Sequence, residues 1–139
     1  MKFIRLNSII IGFVFFYGSL SLNAQVKVSK VLQDSEIVET ASNKLYFVDF
    51  WATWCGPCVY AKKILTVLQK QYPKDFHVVS ISEENSSKVE QFIYKRPTPL
   101  TIAIDNNGYT FNSFNIKSLP QGILFNAKGE KLWQGHPSD

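Results

Sequence analysis

The sequence is poor in the residues that hold metals. It contains two cysteines, two histidines and one methionine among 139 residues. His77 and His136 are the only imidazoles, and neither shows zinc-finger spacing relative to Cys55 and Cys58. Covalent haem attachment would need His directly after the second cysteine, and Val59 stands there. No metal and no cofactor is expected. Long runs of one charge are also missing. The formal net charge is +4, and the only adjacent basic pairs are Lys62–Lys63 and Lys95–Arg96. Setting Lys2 and Arg5 aside leaves 13 basic against 11 acidic residues, a balance of +2. Such scatter is a solvated surface, which excludes a nucleic-acid footprint. No internal repeat or low-complexity tract occurs.

What is present begins with an export pattern in residues 1–24. Lys2 and Arg5 make a short positive start, and Ile9 to Leu22 is an uncharged apolar run. The stretch closes on Ser19-Leu20-Ser21-Leu22-Asn23-Ala24, and Ala24 suits the position before a cleavage site. The alternative is an uncleaved anchor, since Leu6 to Gln25 is uncharged and about long enough to span a bilayer. Either outcome places residues 25–139, the folded domain, outside the cytoplasm, in the periplasm or its equivalent. Disulfides persist in such compartments.

The folded part reads as strands alternating with helices, then a late hairpin. Asp34 to Asn43 reads as a short helix with Asp34 as its cap and Ile37, Val38 and Ala41 as its apolar stripe. Leu45 to Trp51 is a nearly unbroken apolar run, as expected of a strand buried on both faces. Asp49 is its one charged residue. A helix is predicted from about Gly56 to Tyr72, with Ala61, Ile64, Leu65 and Leu68 facing inward and Lys62, Lys63 and Lys70 facing water. Pro73 ends it. Phe76 to Ile81 is the next strand. A helix then starts at Asn85 or Ser86 and stops before Pro97. Leu100 to Ile104 is a strand closed by the turn Asp105-Asn106-Asn107-Gly108. Gly122 to Phe125 and Glu130 to Trp133 form a hairpin. This order predicts one mixed α/β domain. A sheet covered on both faces calls for one more helix after Trp133, capped by Ser138 or Asp139. Its absence suggests either a chain truncated at its C-terminus or a face covered in another way.

The two cysteines lie three positions apart, and a bridge across so short a loop removes little entropy from the unfolded chain. A purely structural bridge is therefore poorly motivated, and chemistry is the better reason for the pair. Cys55 falls where a strand gives way to a helix. The unpaired N–H groups of a helix start stabilise a thiolate, the species that attacks disulfides. Cys58 lies one turn deeper, where it is shielded but within reach of Cys55. This divides the labour: Cys55 attacks a substrate disulfide, and Cys58 resolves the resulting mixed disulfide. Pro57 in the first helical turn costs no hydrogen bond.

The run Phe47-Val48-Asp49-Phe50-Trp51-Ala52-Thr53-Trp54-Cys55-Gly56-Pro57-Cys58 resembles the active-site signature of the thioredoxin family. Leu119-Pro120 before the final hairpin resembles the family's cis-proline, and the similarity extends over roughly residues 33 to 135. The resemblance implies a thioredoxin-like fold and a disulfide-exchange activity on protein substrates. It places Trp54, Gly56, Pro57, Leu119 and Pro120 along the substrate. It also matches Asp49 to the family's buried acid. Burial disfavours the charged carboxylate, so Asp49 would take a proton from Cys58 when that thiol must attack. Within the family the chain is similar to the exported TlpA-like reductases, which include reducers of apocytochrome c. There an acidic residue after the second strand of the motif approaches the cysteines, and Glu83 matches that position. Gly56-Pro57 instead matches thioredoxin itself and the reducing end of the family. The resemblance implies a disulfide reductase, acting as a monomer and recharged by a membrane thiol-transfer protein. The alternatives are a disulfide oxidant or isomerase, or a binding module without catalysis.

Overall fold

A computed structural model describes residues 26–35 and 43–139. The export pattern of residues 1–24 and most of the helix expected over Asp34 to Asn43 lie outside the described residues. Asp34 itself accepts a hydrogen bond from Thr101 Oγ1 at 3.0 Å.

Six strands form one mixed sheet. They are β1 (Lys30–Gln33), β2 (Leu45–Phe50), β3 (Phe76–Ser82), β4 (Thr101–Ile104), β5 (Gln121–Phe125) and β6 (Lys131–Gly135). Their spatial order is β1-β4-β3-β2-β5-β6. β2 lies inside the sheet, parallel to β3 and antiparallel to β5. That position explains its nearly continuous apolar sequence, because both its faces are covered. β3 and β4 are parallel, while β1 and β6 close the two edges in antiparallel pairs.

Alternation along the strands divides the core in two. Phe47, Val78, Ile102 and Ile104 point to one face and join Trp51, Cys55, Cys58, Leu65 and Val89. Helices α1 (Gly56–Gln71) and α2 (Ser86–Lys95) supply the cover there. Val48, Phe50, Ile81, Ala103, Ile123 and Phe125 point to the other face. Burying each large side chain of this kind contributes roughly 1.5–3 kcal/mol. The second face was expected to need a long terminal helix. Among the described residues its cover is instead the five-residue helix α3 (Tyr109–Ser113), together with Val26, Val28, Phe114 and Ile116. Phe111 of α3 meets Phe50 edge-on at 5.0 Å between ring centres. Asp105 fixes α3 to the sheet, since its Oδ2 accepts from the backbone N–H groups of Thr110 at 2.8 Å and Phe111 at 3.0 Å.

Two elements were not foreseen in the sequence. β1 forms in the segment between the export pattern and Asp34, and α3 follows the turn at Gly108, whose φ of +67° suits glycine. The hairpin is shifted outward: β6 runs to Gly135 rather than stopping at Trp133. Trp133 stacks on Phe47, 6.1 Å between ring centres. Gly122 makes room for that ring, because a Cβ there would strike Phe47.

Candidate active site

β2 ends at Phe50, and the chain turns through Trp51, Ala52, Thr53 and Trp54 into α1. The turn is fixed by the Trp51 N–H donating to Ile81 O at 3.1 Å and the Cys55 N–H donating to Ala52 O at 3.1 Å. Cys55 is the N-cap residue of α1, with extended φ and ψ, and its Sγ accepts from the Cys58 N–H at 3.2 Å. No acidic residue occupies the first turn of α1. The partial positive charge of the helix start is therefore not neutralised there, and it acts on the sulfur of Cys55. Cys55 and Cys58 are joined as a disulfide, with Cα atoms 5.2 Å apart. Cys58 is fully buried and Cys55 keeps 4% of its surface exposed. Around them Trp54, Gly56 and Pro57 are open to solvent. Trp54 is the extreme case at 71% exposed, whereas Trp51 is fully buried.

The Leu119–Pro120 turn arrives at the same end of the sheet. β5 runs antiparallel to β2 with Gln121 paired to Phe50, so the residues just before Gln121 lie beside the residues just after Phe50. The Leu119–Pro120 peptide bond is cis. Pro120 is buried, and Leu119 is half-buried against the cluster that contains both cysteines.

Asp49 lies beneath α1 and is completely buried. Its Oδ2 accepts from Lys62 Nζ at 2.8 Å and from Ser80 Oγ at 2.8 Å, while Oδ1 has no partner among the described residues. Lys62 corrects the reading of α1. It was placed on the wet face, but it is only 7% exposed. It follows Cys58 by four residues and lies on the stripe of Cys58, Ala61 and Leu65. Its ammonium sits 3.7 Å from the centre of the Trp51 ring as well as against Asp49. Burial lowers the pKa of Lys62, and the charge and hydrogen bond of Asp49 oppose that shift.

A second carboxylate flanks the turn, and it is not Glu83. Glu83 is exposed, and its carboxylate lies toward Gly108. Glu84 makes the contacts instead. Its Oε2 accepts from the Thr53 N–H at 2.7 Å and its Oε1 from Thr53 Oγ1 at 2.8 Å. Lys88, one turn along α2, donates to Oε1 at 2.7 Å. Burial acts to raise the pKa of Glu84, but the bonds from Lys88 and Thr53 outweigh it and hold the value below the ordinary 4.5. Lys62 and Glu84 are the two residues that sequence reasoning missed. A signal for Lys62 was available, because a buried acid in β2 calls for a counter-ion and residue 62 falls on the inner stripe of α1.

No group of three or more metal-ligating side chains is gathered among the described residues. His77 is buried and its ring nitrogens face Thr101 Oγ1 at 3.3 Å and Ser35 Oγ at 3.4 Å. Burial lowers its pKa, the nearby Lys44 adds to the shift and Asp34 opposes it. No helix among the described residues is long and apolar enough to cross a membrane.

Residues 43–131 match the family model described as thioredoxin-like. The chain is 30% identical over 113 residues to the sporulation thiol-disulfide oxidoreductase A of Bacillus subtilis, covering 76% of this chain and 67% of the relative. It is 22% identical over 136 residues to the thiol-disulfide oxidoreductase ResA of Bacillus cereus, covering 88% of this chain and 77% of the relative. The crystal structure of StoA from Bacillus subtilis superposes with a TM-score of 0.60 at 24% identity, over 67% of this chain and 73% of that one.

Proposed function

The chain belongs to the thioredoxin-like family of thiol–disulfide oxidoreductases, and we propose that it reduces disulfides of proteins outside the cytoplasm through Cys55 and Cys58. The observation that carries this reading is the placing of Cys55 as N-cap of α1, its sulfur held by the Cys58 N–H beside an open rim. Reduced Cys55 attacks one sulfur of a substrate disulfide as the thiolate. An S–S bond to the substrate forms, the substrate's own S–S bond breaks, and one substrate thiolate leaves. Cys58 then gives up its proton and attacks Cys55. The second substrate thiolate leaves, and Cys55–Cys58 becomes the disulfide. Two electrons have passed to the substrate, whose thiolates take up two protons.

Asp49 is the acceptor for the Cys58 proton. It has an unpartnered oxygen, and Lys62 and Ser80 fix the other. Trp54, Gly56 and Pro57 on one side and Leu119 and Pro120 on the other form the substrate cleft. The register of β5 leaves the Leu119 backbone free to pair with an extended chain, which gives affinity without demanding one substrate sequence. The Gly56-Pro57 pair supports the reducing direction. The charged start and apolar run of residues 1–24 support export, and a thiol-transfer protein of the membrane would return electrons to the pair.

Alkylation of the reduced protein at mildly acidic pH tests the assignment. Cys55 is expected to take the label first, because its thiolate fraction is larger than that of a free cysteine of pKa ~8.5. Cys58→Ser should trap mixed disulfides with substrate proteins, and Cys55→Ser should not. Preferential labelling of Cys58, or trapping by Cys55→Ser, would reverse the roles.

A further inference from the structure

A cavity lies beside the cysteines, and neither Leu119 nor Pro120 lines it. It is a groove of about 790 Å³ between α1 and the end of α2, with its mouth at Thr53, Trp54 and Gly56. One stripe of α1 forms a wall, with Val59, Lys63, Thr66 and Lys70 following at helical spacing. Arg96 and the segment Pro97–Pro99 form the opposite wall. Phe92 lies between the walls, with Arg96 4.9 Å over its ring. The floor is Lys62, already neutralised by Asp49.

The charges in this groove are all of one sign. Lys63, Lys70 and Arg96 are exposed, none makes an ion pair among the described residues, and no Asp or Glu lines the groove. The carboxylate at the mouth, Glu84, is taken up by Thr53 and Lys88. The chain's remaining cations are scattered, so three unpaired ones along a single furrow form a local field that its net charge of +4 does not convey. Apolar surface from Trp54, Phe92 and Pro97 accompanies them.

We propose that this groove docks an acidic segment of the substrate protein, next to the disulfide being reduced. The proposal deepens the reading of the protein as a disulfide reductase and rests on it for the identity of the occupant. The cleft at Leu119 and Pro120 accepts backbone, whereas the groove selects side chains by charge. A substrate with Asp or Glu a few residues from its cysteine would reach Lys63 and Arg96 while its sulfur faces Cys55. Exposed ion pairs are individually weak and screened by salt, so the selection acts through several of them at once.

Model disulfide peptides of one length, with acidic, neutral or basic residues beside the cysteine, test this. The acidic peptide is expected to have a kcat/KM about tenfold above the neutral one, with the gain in KM and lost at high salt. The double variant Lys63→Glu/Arg96→Glu should invert the preference toward the basic peptide. Turnover of uncharged 2-hydroxyethyl disulfide serves as the reference for the cysteine chemistry. Calorimetry with a cysteine-free acidic peptide and the oxidised protein separates docking from electron flow. Binding that is present in the wild type and lost in the double variant supports the groove even if the protein proves to oxidise its substrates. Equal kcat/KM for all three peptides, or an acidic preference that survives in the double variant, would overturn the proposal.

Discussion

Asp49 and Glu84 both bring a carboxylate to the reactive turn, and they are held in opposite ways. Asp49 is enclosed under α1, bonded to Lys62 and Ser80, with one oxygen unpartnered. Glu84 stands at the rim and spends both oxygens on Thr53 and Lys88. A group with spare bonding capacity in a dry site is suited to receive a proton. A group whose oxygens are all occupied is suited to hold the backbone still. In the proposed mechanism the same functional group would serve chemistry from below the turn, while Glu84 holds the turn from beside it.

Removing the proposed proton acceptor should give the largest effect. Asp49→Asn keeps the shape but not the basicity, and the mixed disulfide should resolve about 100-fold more slowly near neutral pH. Rapid-quench trapping of that intermediate measures it, and the alkylation rate of Cys55 should stay unchanged. An equal loss in both steps would mean that Asp49 acts on the whole turn, as Glu84 is argued to do.

Lys62→Met attacks the same site through stability. It strands a buried carboxylate, and denaturant unfolding should show a loss of about 3 kcal/mol. Adding Asp49→Asn should recover most of that loss, since the charge left without a counter-ion is then gone.

Glu84→Ala should cost less, about 1–2 kcal/mol, by leaving the Thr53 N–H without its acceptor. Thermal unfolding should read this as a drop of a few degrees. The pH dependence has a definite sign. The folded-state pKa of Glu84 is depressed, so its contribution is present in full above the ordinary 4.5 and is lost as pH falls through the lower folded value. The stability gap between wild type and variant should be flat in the neutral range and close in acid. Glu83→Ala should change stability by less than about 0.5 kcal/mol and leave turnover unaltered, because Glu83 is exposed. A large effect at Glu83 and none at Glu84 would reverse their roles.

The same pair of glutamates marks the limit of what the sequence discloses. The motif around Cys55 and the strand before it were legible, because a double-sided apolar run and a helix start leave strong local signals. Whether Glu83 or Glu84 faces the turn depends on how the chain leaves β3, a tertiary detail that two adjacent acids do not encode. Lys62 reads as a surface lysine because its charge overrides its place on the inner stripe of α1, and the buried acid that reverses this lies across the layer in β2. β1 was missed because four residues with a bulge and mixed polarity carry little periodicity. α3 was missed because five residues of Tyr-Thr-Phe-Asn-Ser lack strong helix formers, and packing on Phe50 and bonds to Asp105 hold it instead.

Equilibration of the Cys55–Cys58 pair against a glutathione buffer tests the central claim most directly, because it measures which way electrons prefer to move. A reductase carrying Gly56-Pro57 between its cysteines should have a potential near −270 mV, the thioredoxin level. A potential above about −180 mV, the level of protein disulfide isomerase, would contradict the account and make the protein an oxidant or isomerase of the same fold.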